Sequence, residues 1–148
     1  MDGVQASDAP RAQRWLVLYD AECGLCKWLL AVVLRWDRAS RLRPLALQSS
    51  DADAIVGDLE RDERMGSWHL VSPGGERSSA GAALSRVLRL LPGGALPAAA
   101  TERFPAPTER AYRWVADHRS ALSKLVPAAS KRRAHARVRA REQAPEQR

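Results

Sequence analysis

The chain has 148 residues, 45% of them hydrophobic and 28% charged, with a formal net charge of +7. That length and apolar content fit one domain of ordinary size with a real core, which excludes a small scaffold that needs disulfides to fold. The charge hints at polyanion binding, but residues from Pro127 onward hold seven Lys and Arg against two Glu, so +5 of the +7 belongs to a tail.

In chain order, residues 1–13 are polar and small and read as a disordered leader, without the basic-then-apolar order of a secretory signal. Trp15-Leu16-Val17-Leu18-Tyr19 is a run of large and branched apolar residues, the pattern of a short strand buried on both faces. Residues 23–38 then predict a helix, apolar around much of its circumference and so covered by the rest of the protein. Its longest apolar stretch, Leu25 to Trp36, is broken by Lys27 and Arg35 and is too short to span a bilayer. Residues 42–47 predict a second strand, with Pro44 favouring an edge. Strand, helix and strand in this order suggest a right-handed βαβ unit.

Residues 51–64 are densely charged and read as a solvated helix or loop. Ser67 to Ser72 predicts a strand, Pro73-Gly74-Gly75 a turn, and Glu76-Arg77-Ser78 a short hairpin partner. Ala80, Ala83, Leu84, Val87, Leu88 and Leu91 keep the spacing of an amphipathic helix, stopped by Pro92-Gly93-Gly94. Residues 95–107 are rich in Pro and Ala and predict one short helical turn. A last helix after Thr108 places Ala111, Val115, His118, Leu122 and Leu125 on its apolar face. Residues 127–148 read as a basic tail, disordered or transiently helical.

Cys23-Gly24-Leu25-Cys26 holds the only two cysteines. A bond across so short a loop would remove little entropy from the unfolded chain, so stapling explains the pair poorly. Reversible disulfide chemistry explains it better: Cys23 at a helix N-terminus favours its thiolate and is the expected nucleophile, and Cys26, one turn in, is the expected resolving thiol. Asp20 has two readings, a structural one as the helix N-cap or a loop residue accepting backbone N–H bonds, and a functional one as the acceptor of the Cys26 proton. Trp28, close after Cys26, is the one tryptophan placed to line a substrate site; the other four fall inside expected core elements.

The string Tyr19-Asp20-Ala21-Glu22-Cys23-Gly24-Leu25-Cys26-Lys27 resembles the signature of the DCC family of thiol-disulfide oxidoreductases, named for Asp-x-x-Cys-x-x-Cys. Trp68-His69-Leu70-Val71, Gly81-Ala82-Ala83-Leu84, Leu90-Leu91-Pro92 and the segment Ala111 to Arg119 extend the resemblance over residues 14–126. The resemblance implies an α/β, thioredoxin-like fold: a small mixed sheet flanked by helices on both faces, with the C-x-x-C at the N-terminus of the first helix. It implies dithiol-disulfide exchange with a thiol or disulfide substrate and no cofactor. Thioredoxin-like enzymes usually carry a cis-proline before the strand facing the pair, whereas Met65-Gly66-Ser67 stands there in this chain.

Two other classes compete. A C-x-x-C is half of a zinc site, but His69, His118 and His135 are the only histidines and no second cysteine pair exists, so no metal is expected. The tail could contact nucleic acid or an anionic membrane through charge alone, since it lacks interleaved aromatics. The sequence as a whole predicts a cytoplasmic oxidoreductase, in a compartment that keeps thiols reduced.

Overall fold

The computed structural model describes residues 14–144. Its frame is a four-stranded mixed sheet in the order β2 (Leu42–Ala46), β1 (Trp15–Tyr19), β3 (His69–Val71), β4 (Arg77–Ser79). β1 runs parallel to β2 and antiparallel to β3, and β4 returns antiparallel beside β3. Pro44 stands opposite Val17 in the middle of β2, tolerated because β2 is an edge strand with one side free of ladder bonds. Successive side chains of β1 point to opposite faces and both are buried. Val17 and Tyr19 join the larger core and Leu18 the smaller one. That explains the unbroken apolar run in the sequence.

The larger core takes α1 (Gly24–Trp36) and α4 (Ala80–Leu90) on one face of the sheet. The smaller takes α2 (Ser50–Val56) on the other, together with Met65 at the end of α3 (Arg61–Met65). The charged stretch 51–64 thus holds two short helices. Ser49 caps α2 by accepting from the Ala52 N–H, and Ala52 and Val56 alone are buried, which leaves its charges in water. The arrangement is thioredoxin-like, mixed α/β with helices on both faces of the sheet and the Cys pair at the start of α1.

The C-terminal third departs most from expectation. α5 (Ala95–Arg103) is a nine-residue helix rather than one turn. Pro97 falls in its first turn, where a missing N–H removes no intrahelical bond, and Ala98 is fully buried. The single helix expected after Thr108 is two, α6 (Pro105–Asp117) and α7 (Arg119–Leu125). His118 sits at the break, exposed rather than on an apolar face. Its ring stacks on Trp114 at 4.4 Å between centroids, and Nδ1 lies 2.7 Å from the Trp114 carbonyl.

The basic tail forms α8 (Ala128–Gln143), packed along α1, in place of the disordered or transiently helical segment expected. Ala134 and Val138 lie in the main core, 5% and 1% exposed. Arg141 Nη1 pairs with Asp37 Oδ2 at 2.8 Å, and its guanidinium also donates to the Leu34 and Leu42 carbonyls. Asp37 is 1% exposed and accepts from the Arg41 and Leu42 N–H groups as well. Glu142 accepts from the Tyr19 hydroxyl at 2.6 Å, and burial with that carboxylate pushes the phenol well above its ordinary range. The tail's charge is real, but one arginine neutralises a buried aspartate and two small apolar residues face inward. The leader 1–13 and residues 145–148 lie outside the described residues. Among the described residues no helix is long and apolar enough to cross a membrane.

Candidate active site

β1 ends at Tyr19, and the chain turns through Asp20-Ala21-Glu22 into α1. The Cys23 N–H donates to the Asp20 carbonyl at 3.2 Å, which closes the turn. Cys23 is itself the N-cap: its backbone is extended (φ −90°, ψ 109°) and its Sγ accepts from the Cys26 N–H at 3.2 Å. Asp20 is therefore not the cap but a loop residue accepting a backbone N–H, the other structural reading of it. A sulfur in that place receives an oriented N–H and the positive end of the helix.

Both thiols are free and partly buried. A hydrogen bond from the Cys26 thiol, seconded by the Cys26 N–H and the Arg119 charge, lowers Cys23 to about 6 against the opposing effects of burial and Asp20. Cys26 moves the other way: the bond to Cys23, its deeper burial and the neighbouring negative sulfur hold it far above the ordinary thiol range. The pair therefore shares one proton, kept on Cys26. Such a split gives one sulfur for attack and one in reserve.

Asp20 organises the turn. Its Oδ1 accepts from the Glu22 N–H at 2.9 Å and from Gln48 Nε2 at 2.7 Å, and Oδ2 lies 3.9 Å from Arg119 Nη1. Gln48 Oε1 in turn accepts from the Ala21 N–H at 3.1 Å. Gln48, which the sequence reading passed over, follows the C-terminal end of parallel strand β2, where sites of α/β sheets gather.

The segment facing the pair, residues 65–68, has no cis peptide, and none occurs among the described residues. Its backbone is held from within instead. The Trp68 N–H donates to the Tyr112 hydroxyl at 2.8 Å, the Trp68 carbonyl accepts from the Ala80 N–H at 3.2 Å, and the Met65 carbonyl accepts from Arg119 Nη1 at 3.1 Å. These groups are thus not open for pairing with an extended peptide. Burial pushes the Tyr112 phenol up to about 12, against the hydrogen bond from the Trp68 N–H, which lowers it. Tyr112 and Arg119 both lie in the segment that carried the family resemblance, yet nothing in their spacing told of a place beside the cysteines.

α7 and α8 form a wall against the first turn of α1. A Cβ on Gly24 would lie 3.1 Å from Ser123 Oγ and 3.4 Å from Lys131 Cδ, so glycine permits the close approach. Trp28 lines an apolar groove of about 400 Å³ with Leu25, Leu29, Leu122, Leu125 and Val126, and also packs against the main core. The histidines are spread apart. His69 is buried, with Nε2 on the Arg64 carbonyl at 2.9 Å and Nδ1 on Ser79 Oγ at 2.6 Å, and burial lowers its pKa. A carbonyl only accepts, so Nε2 carries the proton and Ser79 donates to Nδ1, leaving neither nitrogen for a metal. His135 Nδ1 lies 3.4 Å from Lys27 Nζ. Among the described residues no three His, Cys, Asp or Glu come together in a group able to hold a metal ion.

No curated protein and no solved structure matches the chain. The family model described as DCC1-like thiol-disulfide oxidoreductase matches residues 17–125, a span that holds both cysteines, Asp20, Tyr112 and Arg119, and the chain belongs to that family.

Proposed function

We propose that the protein exchanges disulfides through a Cys23/Cys26 dithiol. The observation that supports it is the split of the pair: Cys23 at the N-cap of α1 with its thiolate favoured, and Cys26 holding the shared proton. The Cys23 thiolate attacks one sulfur of a substrate disulfide, forming the mixed disulfide and expelling a thiolate that takes a proton from solvent. Turning the Cys23 thiolate into a disulfide sulfur removes the charged acceptor of the Cys26 hydrogen bond, the largest cause that kept Cys26 protonated. Cys26 then loses its proton, attacks Cys23 Sγ and releases the second substrate thiol, so the substrate gains two electrons and the pair becomes a disulfide. Asp20 is the carboxylate near the pair to accept that proton. Trp28, in its groove on the same helix, contacts an apolar flank of the substrate. A reducing, cytoplasmic setting suits this direction of electron flow.

The test is a disulfide-reduction assay on Cys23→Ser and Cys26→Ser. The first variant should lose exchange, and the second should accumulate mixed disulfides visible by intact mass. Full activity in both variants sinks the proposal.

A further inference from the structure

We infer that Arg119 is a positioning residue of this thiol chemistry: its guanidinium ties the turn leading into the Cys pair to the segment facing it, and sets a positive charge at the pair. The inference rests on the reading of Cys23 as nucleophile and adds a residue to it. The break at His118 starts a new helix, and Arg119 opens it with a side chain that is 33% exposed. One nitrogen, Nη1, reaches both sides of the site, 3.1 Å from the Met65 carbonyl and 3.9 Å from Asp20 Oδ2. Asp20 holds the entrance of α1 through its carbonyl, which accepts from the Cys23 N–H. Arg119 thus joins residues 20 and 65 to a helix that follows the whole sheet.

The groups around the sulfurs make the charge matter. Asp20 and Glu22 lie on the turn, Cys26 and Lys27 on α1, Tyr112 on α6 and Lys131 on α8. Asp20 among them opposes a Cys23 thiolate, whereas Arg119 on α7 favours it. Losing Arg119 removes an attraction and leaves the Asp20 carboxylate uncompensated, two effects of one sign. A charge that is one-third exposed and a few ångströms away is worth about half to one pH unit.

The experiment measures Cys23 alkylation by iodoacetamide against pH in the reduced full chain, read by mass mapping. Arg119→Gln should move the midpoint upward by at least about half a unit, leaving roughly threefold less thiolate at the acid end. Arg119→Lys, which keeps the charge, should restore most of it. A residue that only braces the fold would shift the melting temperature and leave the midpoint alone. An Arg119→Gln midpoint within about 0.2 units of the parent overturns the inference, since a charge at the pair must move it further. If that variant does not fold, the parent is compared at low salt and at about 0.5 M salt, where screening falls to a few ångströms. A midpoint that rises with salt supports the inference, and one that stays overturns it. Alkylation reads Cys23 whether or not a disulfide ever forms, so failure here and failure of the exchange reaction are separate results.

Discussion

If Cys23 titrates near 6 while Cys26 keeps its proton, pH should drive the redox equilibrium with glutathione over a range where ordinary thiols are silent. Oxidised protein plus two glutathione thiols gives reduced protein plus glutathione disulfide. Below the Cys23 titration both sides carry equal protons, and the constant does not change with pH. Above it the reduced protein releases one proton, and the constant grows as 1 + 10^(pH − pKa). With a value of about 6 for Cys23, the factor is about 1.1 at pH 5 and roughly 30 at pH 7.5, equivalent to about 2 kcal/mol in favour of the reduced form. A pair whose lower thiol sat at the usual 8.5 or so would change by only about a tenth over the same range. The sign follows from linkage. A depressed folded-state pKa stabilises the reduced fold fully above the unfolded thiol's value, about 8.5, and the benefit is lost as pH falls through about 6. Graded glutathione buffers at four pH values, acid quench, alkylation and intact mass measure the constant directly. A change of less than about threefold between pH 5 and 7.5 would refute the reasoning, because Cys23 would then titrate above about 7 rather than near 6.

Arg141→Ala should cost about 3 kcal/mol or more in urea unfolding, since it leaves Asp37, 1% exposed, without its cation and two carbonyls without their donor. A loss below about 1 kcal/mol would mean that α8 carries little of the fold. Tyr112→Phe removes the acceptor of the Trp68 N–H and should cost about 1–2 kcal/mol. Amide exchange at Trp68 reads the same contact, being slow in the parent and fast in the variant.

The βαβ start and the hairpin were legible because their signals are local. An apolar run, a helix-length apolar segment and a Pro-Gly-Gly turn each name their element within a few residues. The place of the Cys pair at the start of α1 was legible for the same reason, since a strand and a helix on either side of it each have a local signal. Tyr112 and Arg119 were not, because each acts through a carbonyl or N–H far away in sequence, 44 and 54 residues back. The choice between Asp20 as cap and Asp20 as loop residue turned on a nearer contest. Aspartate is the commoner cap, but its oxygens are taken by Glu22, Gln48 and Arg119, and the extended backbone falls on Cys23. The break at His118 has neither glycine nor proline to announce it, and the apolar period runs through it unbroken.

α8 shows why composition misleads for a helix that is charged on most sides. Three contacts fix its course: Lys131 beside Gly24, His135 beside Lys27 and Arg141 on the Leu34 carbonyl, so it runs along α1 in the same direction. The two residues it buries, Ala134 and Val138, are four apart, and both are small. Their hydrophobic signal is lost among Arg132, Arg133, Arg137 and Arg139, which stay exposed. Both descriptions of the segment hold, each for one face: a solvated basic surface outside and a strip of core inside. The family match ends at residue 125, yet Ala134 and Val138 of α8 join the core that holds Leu30 and Leu34 of α1. The helix that carries both cysteines is therefore braced along its length by a segment outside the matched span. With Tyr112, Arg119, Ser123 and Lys131 also drawn from the C-terminal helices, the surroundings of a Cys pair near residue 25 are largely set by residues 112–141.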